Sequence, residues 1–135
     1  MSAEARIRDS FARQSMMTTL GAELVAVAEG RVAVAATVAE GLRQQAGYAH
    51  AALIFALGDT AAGYAALTVM PPDVDVLTVE MKINLLSPGA GRLVAEGRVL
   101  KPGRRLVVVA ADVWSEVDGK RTLAAVLQGT MIPVA

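Results

Sequence analysis

Hydrophobic and polar residues alternate through the second half of the chain at the spacing of β-strands. Leu77 to Leu85 is the clearest case, because every second residue is apolar and those between are threonine, glutamate, lysine and asparagine. A period of two predicts a strand with one buried face. Three more strands are predicted at 93–100, 106–114 and 122–132, separated by turns that contain glycine or proline.

The first half of the chain predicts one hairpin and two helices. Residues 1–18 carry isolated apolar side chains among charges, which predicts a short N-terminal helix. Residues 20–38 predict a hairpin that turns at Glu29-Gly30. Residues 50–67 are rich in alanine and too long for a typical strand, so we predict one central helix that is apolar on nearly all sides and therefore buried.

Gly58 and Gly63 lie inside this central helix, where each costs about 1 kcal/mol relative to alanine. Close packing against a sheet is the simplest compensation. Helices and strands are segregated along the chain, which predicts the α+β class with an antiparallel sheet around the helix. A chain of 135 residues has room for one such domain, spanning 1–135.

Composition excludes several kinds of site. The 13 basic and 13 acidic residues give a net charge of zero, which argues against a nucleic-acid partner. The chain has no cysteine and one histidine, so disulfides, thiol nucleophiles and multi-histidine metal sites are excluded. No phosphate-binding P-loop, dinucleotide-binding glycine pattern or Gly-x-Ser-x-Gly elbow occurs.

Targeting patterns are also absent from the sequence. Residues 1–13 are too charged for a secretory signal. The apolar stretch 51–70 is the one membrane candidate, but Asp59 at its middle costs about 2.5–3.5 kcal/mol on insertion scales. We therefore expect a cytoplasmic protein with no membrane partner.

Asp59 is the one charged side chain in the predicted buried helix. A buried carboxylate is unfavourable unless it is paired or used, and burial raises its pKa in the direction that suits a general base or nucleophile. It could instead cap a second helix after a break at Gly58, or face water. His50 precedes the helix, where free backbone N–H groups attract anions and polarised carbonyls, although a lone histidine there is more often a cap or a solvated side chain.

Two sets of polar residues outside the helix are further candidates for a functional site. Gln44 and Gln45 lie in the loop before the helix and, on local grounds, are ordinary surface residues. Lys101, Arg104 and Arg105 cluster at one turn. Such a cluster could bind phosphates through charge-assisted hydrogen bonds, or form a solvated hairpin tip.

The segment 44–62, QQAGYAHAALIFALGDTAA, resembles the signature of hotdog-fold acyl-CoA thioesterases of the phenylacetate-pathway (PaaI-like) family. In that signature a histidine and small residues begin the central helix, and an Asp-Thr-Ala motif follows. His50 and Asp59 are nine residues apart, as in the signature. The segment 79–105 is similar to the family's strand pair, and the resemblance covers nearly the whole chain. It implies a hotdog fold, with five to six antiparallel strands around one long helix and a short N-terminal helix.

The resemblance implies hydrolysis of a medium-chain or aryl acyl-CoA to the free acid and CoA. The thioester carbonyl would lie at the start of the central helix and accept a hydrogen bond from the N–H of Ala51. Asp59 would attack the carbonyl carbon or deprotonate a water that does. Gln44, His50 and Thr78 match family positions around the carboxylate, the water and the thioester.

The resemblance also implies a homodimer or tetramer in which Asp59 of one chain faces Gln44, His50 and Ala51 of another. Coenzyme A is part of the substrate, so no separate cofactor and no metal are expected. The basic turn, Lys101, Arg104 and Arg105, would contact the phosphates of CoA. One departure concerns residues 51 and 52, where this chain has alanines and the family usually has glycines. Their methyl groups intrude where the thioester approaches.

Two alternatives stay open. A hotdog dehydratase or hydratase would change a double bond in an acyl thioester rather than release free thiol. A non-catalytic acyl-CoA binder would hold the thioester tightly without turnover, because the alanine methyl groups have closed the catalytic geometry.

Overall fold

One antiparallel sheet wraps around one long helix in the computed structural model, which covers residues 1–135. The elements in chain order are α1 (Ala3–Arg13), α2 (Ser15–Leu20), β1 (Glu23–Ala28), β2 (Arg31–Thr37), a short 3-10 turn (Glu40–Leu42), α3 (Ala51–Leu67), β3 (Asp75–Leu85), β4 (Arg92–Pro102), β5 (Val107–Val117) and β6 (Lys120–Val134). The six strands lie in the order β1-β2-β4-β5-β6-β3, so β3 forms one edge of the sheet. The predicted α+β class, antiparallel sheet and central helix are confirmed. No helix is long and apolar enough to cross a membrane.

Helix α3 lies very close to the sheet because small residues meet at the contact. A Cβ on Gly97 of β4 would lie 2.4 Å from the backbone of Ala61, so only glycine fits there. A Cβ on Gly58 would meet the methyl groups of Leu127 at 2.8 Å, which agrees with the predicted role of this glycine in close packing. Gly63 differs, since its Cβ would meet Met131 at an ordinary 3.7 Å.

Helix α3 is apolar and buried along most of its surface, as the sequence pattern predicted, but one side is exposed. Ala51, Ala52 and Phe55 are exposed on one stripe, and the same stripe continues to the half-buried Asp59. The helical spacing of three and four residues aligns these positions. The sheet covers most of the helix but leaves this stripe open.

The predicted short N-terminal helix is confirmed, but it does not extend unbroken to residue 18, because it is interrupted at Gln14. This residue adopts an extended conformation between α1 and α2. Its side-chain amide donates a hydrogen bond to the hydroxyl of Tyr64 in α3 at 3.0 Å. A tertiary contact therefore sets the break, and no proline or glycine marks it in the sequence.

Several predicted strand boundaries also shift. The strand predicted at 93–100 ends later, because β4 continues through Pro102 and pairs there with Val107 of β5. Strand β6 runs on to Val134, since β3 continues to pair with it there after its pairing with β5 ends at Met131.

The N-terminal helix is fixed to the end of α3 by one side chain. The guanidinium of Arg6 donates to four backbone carbonyl oxygens, those of Leu67 and Met70 at 3.4 Å, Pro71 at 2.7 Å and Val74 at 2.6 Å. Carbonyls at a helix C-terminus lack partners within the helix, and a cation there is favourable.

We expect Gly97→Ala to lower the free energy of unfolding by about 1–3 kcal/mol, because the added methyl group overlaps the backbone of α3. Urea unfolding followed by circular dichroism measures this change. Gly41→Ala is the matched control, since a Cβ there meets nothing within 4 Å. Equal unfolding midpoints for the two variants would contradict the close contact.

Candidate active site

Asp59 lies in the middle of α3 and is held by a side chain from β3. The hydroxyl of Thr78 donates to Asp59 Oδ1 at 2.7 Å. Helix α3 is continuous from Ala51 to Leu67, so the alternative in which Asp59 caps a second helix is wrong. Burial raises the pKa of Asp59, and the hydrogen bond from Thr78 lowers it by a smaller amount. The carboxylate is therefore oriented and a stronger base than an exposed aspartate.

His50 caps the start of α3 and leaves one backbone donor free. Its Nδ1 accepts from the N–H of Ala52 at 2.9 Å, and its carbonyl oxygen accepts from Leu53 and Ile54. The N–H of Ala51 has no acceptor within the chain. Because Nδ1 is an acceptor, the proton of the neutral imidazole is on the exposed Nε2. The helix thus begins with a free N–H at its positive end, beside an imidazole N–H.

Gln44 lies in a loop that folds back onto the start of α3. Its N–H donates to the carbonyl oxygen of Tyr48 at 2.8 Å, and its side-chain oxygen accepts from the N–H of Ala46. The side-chain NH₂ group of Gln44 has no partner in the chain. Gln44, His50 and Ala51 line one pocket of about 470 Å³. The residues that share this pocket include Gln45 and the segment Leu85–Gly89.

Asp59 and Thr78 line a different pocket, of about 290 Å³, that shares no residue with the first. Ala51 and Asp59 are about 12 Å apart along the axis of one helix, at 1.5 Å per residue. One thioester carbonyl cannot contact both groups within a single chain. The structure brings Asp59 to Thr78, and Gln44 to His50 and Ala51, but it keeps these two half-sites apart.

The basic turn lines neither pocket. Strand β4 runs along α3, with Leu93 near Ile54 and Gly97 against Ala61, so residues 101–105 lie toward the C-terminal end of α3. No salt bridge is formed by the basic side chains of this turn, which are Lys101, Arg104 and Arg105. No group of three His, Asp or Glu side chains that could hold a metal ion is present.

Some residues that line the pocket of Asp59 were not predicted from the sequence. Ser10 and Gln14 from the N-terminal segment lie there beside Tyr64. Ser10 Oγ and Gln14 Nε2 are both 3.0 Å from the hydroxyl oxygen of Tyr64. The one local signal was the spacing of Ser10 and Gln14, two polar residues four positions apart.

We expect Asp59→Asn to raise the free energy of unfolding at pH 7, because it removes a partly buried charge and keeps an oxygen that accepts from Thr78. A raised pKa means that the folded state binds the proton more tightly than the unfolded state. The wild type therefore loses stability as the pH rises from about 3.8 through the raised pKa of Asp59.

Urea unfolding between pH 3 and 8 tests this, with Asp73→Asn as a control at an exposed turn. The advantage of Asp59→Asn should disappear at the acid end, where both Asp59 and its replacement are neutral. A constant difference at every pH would refute the electrostatic explanation.

Comparison with known proteins identifies the family of the chain. Residues 46–122 match the model of the Thioesterase superfamily. The crystal structure of a thioesterase family protein from Silicibacter pomeroyi is 38% identical, with 98% of each chain covered and a TM-score of 0.96. The PaaI protein from the phenylacetic acid degradation operon of E. coli has the same fold, at 21% identity and a TM-score of 0.87, with 98% of this chain and 94% of that chain covered.

A relative with a named substrate is the 1,4-dihydroxy-2-naphthoyl-CoA hydrolase of Listeria monocytogenes. It is 29% identical over 104 residues, which cover 76% of this chain and 85% of the relative. The match to the family model and the likeness to the Silicibacter pomeroyi protein confirm the resemblance found in the sequence. The chain belongs to the thioesterase superfamily and is a thioester hydrolase with the hotdog fold of PaaI-like proteins.

Proposed function

We propose that the protein hydrolyses a medium-chain or aryl acyl-CoA to the free acid and CoA, in a site formed by two copies of the chain. The main support for this proposal is the distance between Ala51 and Asp59 along one helix. A free backbone N–H and a basic carboxylate are what thioester hydrolysis requires, yet one chain holds them about 12 Å apart. Two copies can supply one group each.

The free edge of the sheet supports this pairing. Strand β3 has no partner on its outer side, and Leu77 and Val79 are 56% and 54% exposed on either side of Thr78. A long unpaired apolar edge readily pairs with another strand. A twofold axis that pairs β3 with its copy also makes the two α3 helices antiparallel. With the axis near the middle of β3, between Thr78 beside Asp59 and Leu85 beside Ala51, the start of one helix approaches the middle of the other and Ala51 faces the partner's Asp59.

The reaction follows from these positions. The thioester oxygen accepts from the N–H of Ala51, where the helix dipole stabilises the negative charge of the tetrahedral intermediate. In one route a carboxylate oxygen of Asp59 attacks the carbonyl carbon, the C–S bond breaks, CoA leaves as the thiolate, and water hydrolyses the anhydride. In the other, Asp59 removes a proton from the water that attacks. Both routes yield the free acid and CoA.

Three further side chains assist in the proposed site. Thr78 orients Asp59 through the hydrogen bond at 2.7 Å. Gln44 and His50 line the first pocket. The free NH₂ group of Gln44 and the Nε2–H of His50 can donate hydrogen bonds there to the thioester or to the partner's carboxylate. The exposed methyl groups of Ala51 and Ala52 narrow the entrance for the thioester.

The basic turn is proposed to contact the phosphates of CoA. Lys101, Arg104 and Arg105 form no salt bridge, so their charges are available to an anion. The long pantetheine arm separates those phosphates from the thioester, so the turn need not line either half-site.

We expect Asp59→Asn and Ala51→Pro each to lower kcat for thiol release by about 100-fold or more, because each removes one half of the chemistry. Proline replaces the free N–H of Ala51 by a ring carbon and leaves the helix intact, since it is well tolerated at the first position of a helix. His50 has φ −62° and ψ 141°, the conformation that a residue before proline prefers. A thiol-release assay over a panel of acyl-CoAs measures the effect.

Ala51→Ser is the control, since serine keeps the N–H. Full activity of Asp59→Asn in a folded protein would overturn the role of the carboxylate. A wild type that binds acyl-CoA without turnover, or changes a double bond without releasing thiol, would favour the binder or the dehydratase.

We expect a mixture of the two inactive variants to regain activity. In a dimer assembled at random, half of the molecules pair an Ala51→Pro chain with an Asp59→Asn chain, and each of these has one intact site. The recovered activity should approach about one quarter of wild type after subunit exchange. Recovery close to zero, with exchange verified by mass spectrometry, would contradict a shared site.

A further inference from the structure

One wall of the pocket that contains Asp59 is formed by residues with no role in the proposed hydrolysis. Ser10, Gln14 and Tyr64 line it, and we call these three residues the polar wall. Gln14 Nε2 donates to Tyr64 Oη at 3.0 Å, and Ser10 Oγ lies 3.0 Å from the same oxygen. The ring of Tyr64 packs beside Phe11, with centroids 6.2 Å apart.

The polar wall has unused hydrogen-bonding capacity. Gln14 retains its side-chain oxygen and a second N–H, and the two hydroxyl groups retain acceptor positions. An aliphatic chain end would cover these groups without offering a partner, which is unfavourable. A hydroxyl or carbonyl group on the acyl chain would satisfy them.

Gly63 leaves room for such a group. It follows Asp59 by one helical turn on the same face of α3 and lines the same pocket. Glycine is unfavourable inside a helix, and packing does not demand it here, since a Cβ would meet Met131 at an ordinary 3.7 Å. What the missing side chain provides at position 63 is space in the pocket.

We infer that Gly63 and Tyr64 determine the specificity for the acyl group. Gly63 gives the pocket its depth, and Tyr64, held by Ser10 and Gln14, binds a hydroxyl or carbonyl group at the far end of the chain. The inference rests on the proposed function, because it takes Asp59 as the group at the reacting carbonyl. Tyr64 follows Asp59 by about 7.5 Å along the helix axis, so the bound substituent lies several carbon atoms from the thioester.

Matched acyl-CoAs test the role of Tyr64. We would measure kcat/KM by thiol release for butanoyl-, hexanoyl- and octanoyl-CoA and for the same chains with a terminal hydroxyl. The wild type should prefer the hydroxylated form of at least one length by about tenfold, the effect of one hydrogen bond. Tyr64→Phe, which keeps the ring beside Phe11, should bring this ratio to about one. Ser15→Ala should keep the wild-type ratio, since the exposed Ser15 hydroxyl makes no hydrogen bond.

Gly63→Ala tests the depth of the pocket independently. It should lower kcat/KM for octanoyl-CoA by at least about tenfold more than for butanoyl-CoA, while the melting temperature stays the same or rises. An unchanged chain-length profile, or no preference for any hydroxylated chain, or a preference retained in Tyr64→Phe, would overturn this inference and leave the proposed function intact. A wild type that releases no thiol from any substrate would overturn both.

Discussion

The close contact between α3 and the sheet is the constraint on which the rest of the structure depends. A helix can lie this near to β4 only if both surfaces are nearly flat, and the glycine at 97 and the alanine at 61 provide that. The alanine-rich composition of the helix follows from the same requirement, and so does its orientation. Once one face is fixed against the sheet, the stripe that begins at Ala51 and reaches Asp59 is the part left open. The packing of the core therefore determines where the candidate site residues of α3 lie.

The two half-sites draw on different kinds of interaction. At the start of α3, histidine and loop side chains satisfy neighbouring backbone donors and leave one N–H free. At the middle of the helix, partial burial makes a carboxylate more basic, while one hydroxyl opposes that effect and fixes its direction. A second chain that covers this region would remove water from Asp59, which raises its pKa, and would bring hydrogen-bond donors, which lower it. Assembly would then create the site and also adjust its chemistry.

Much of this architecture was readable from local patterns. The strand β3, the long alanine-rich helix and the single carboxylate within it all follow from periods of two and 3.6 residues. The single buried face predicted for β3 is wrong, because Leu77, Val79 and Leu85 are more than half exposed and the register shifts after Thr78. The break at Gln14 could not be read in the same way, because its partner, Tyr64, is 50 residues away. The contribution of Ser10 to the pocket of Asp59 has the same origin. The exposed stripe of α3 was missed because hydrophobicity records what can be buried and not what the sheet leaves uncovered.

A site that relies on a backbone donor differs in mutational robustness from one built of side chains. Nineteen of the twenty amino acids carry the N–H that Ala51 offers, so nearly every point mutation there changes shape and keeps the donor. The carboxylate at 59 has no such redundancy. Sequence drift at the start of α3 can therefore alter which substrates enter without abolishing the chemistry.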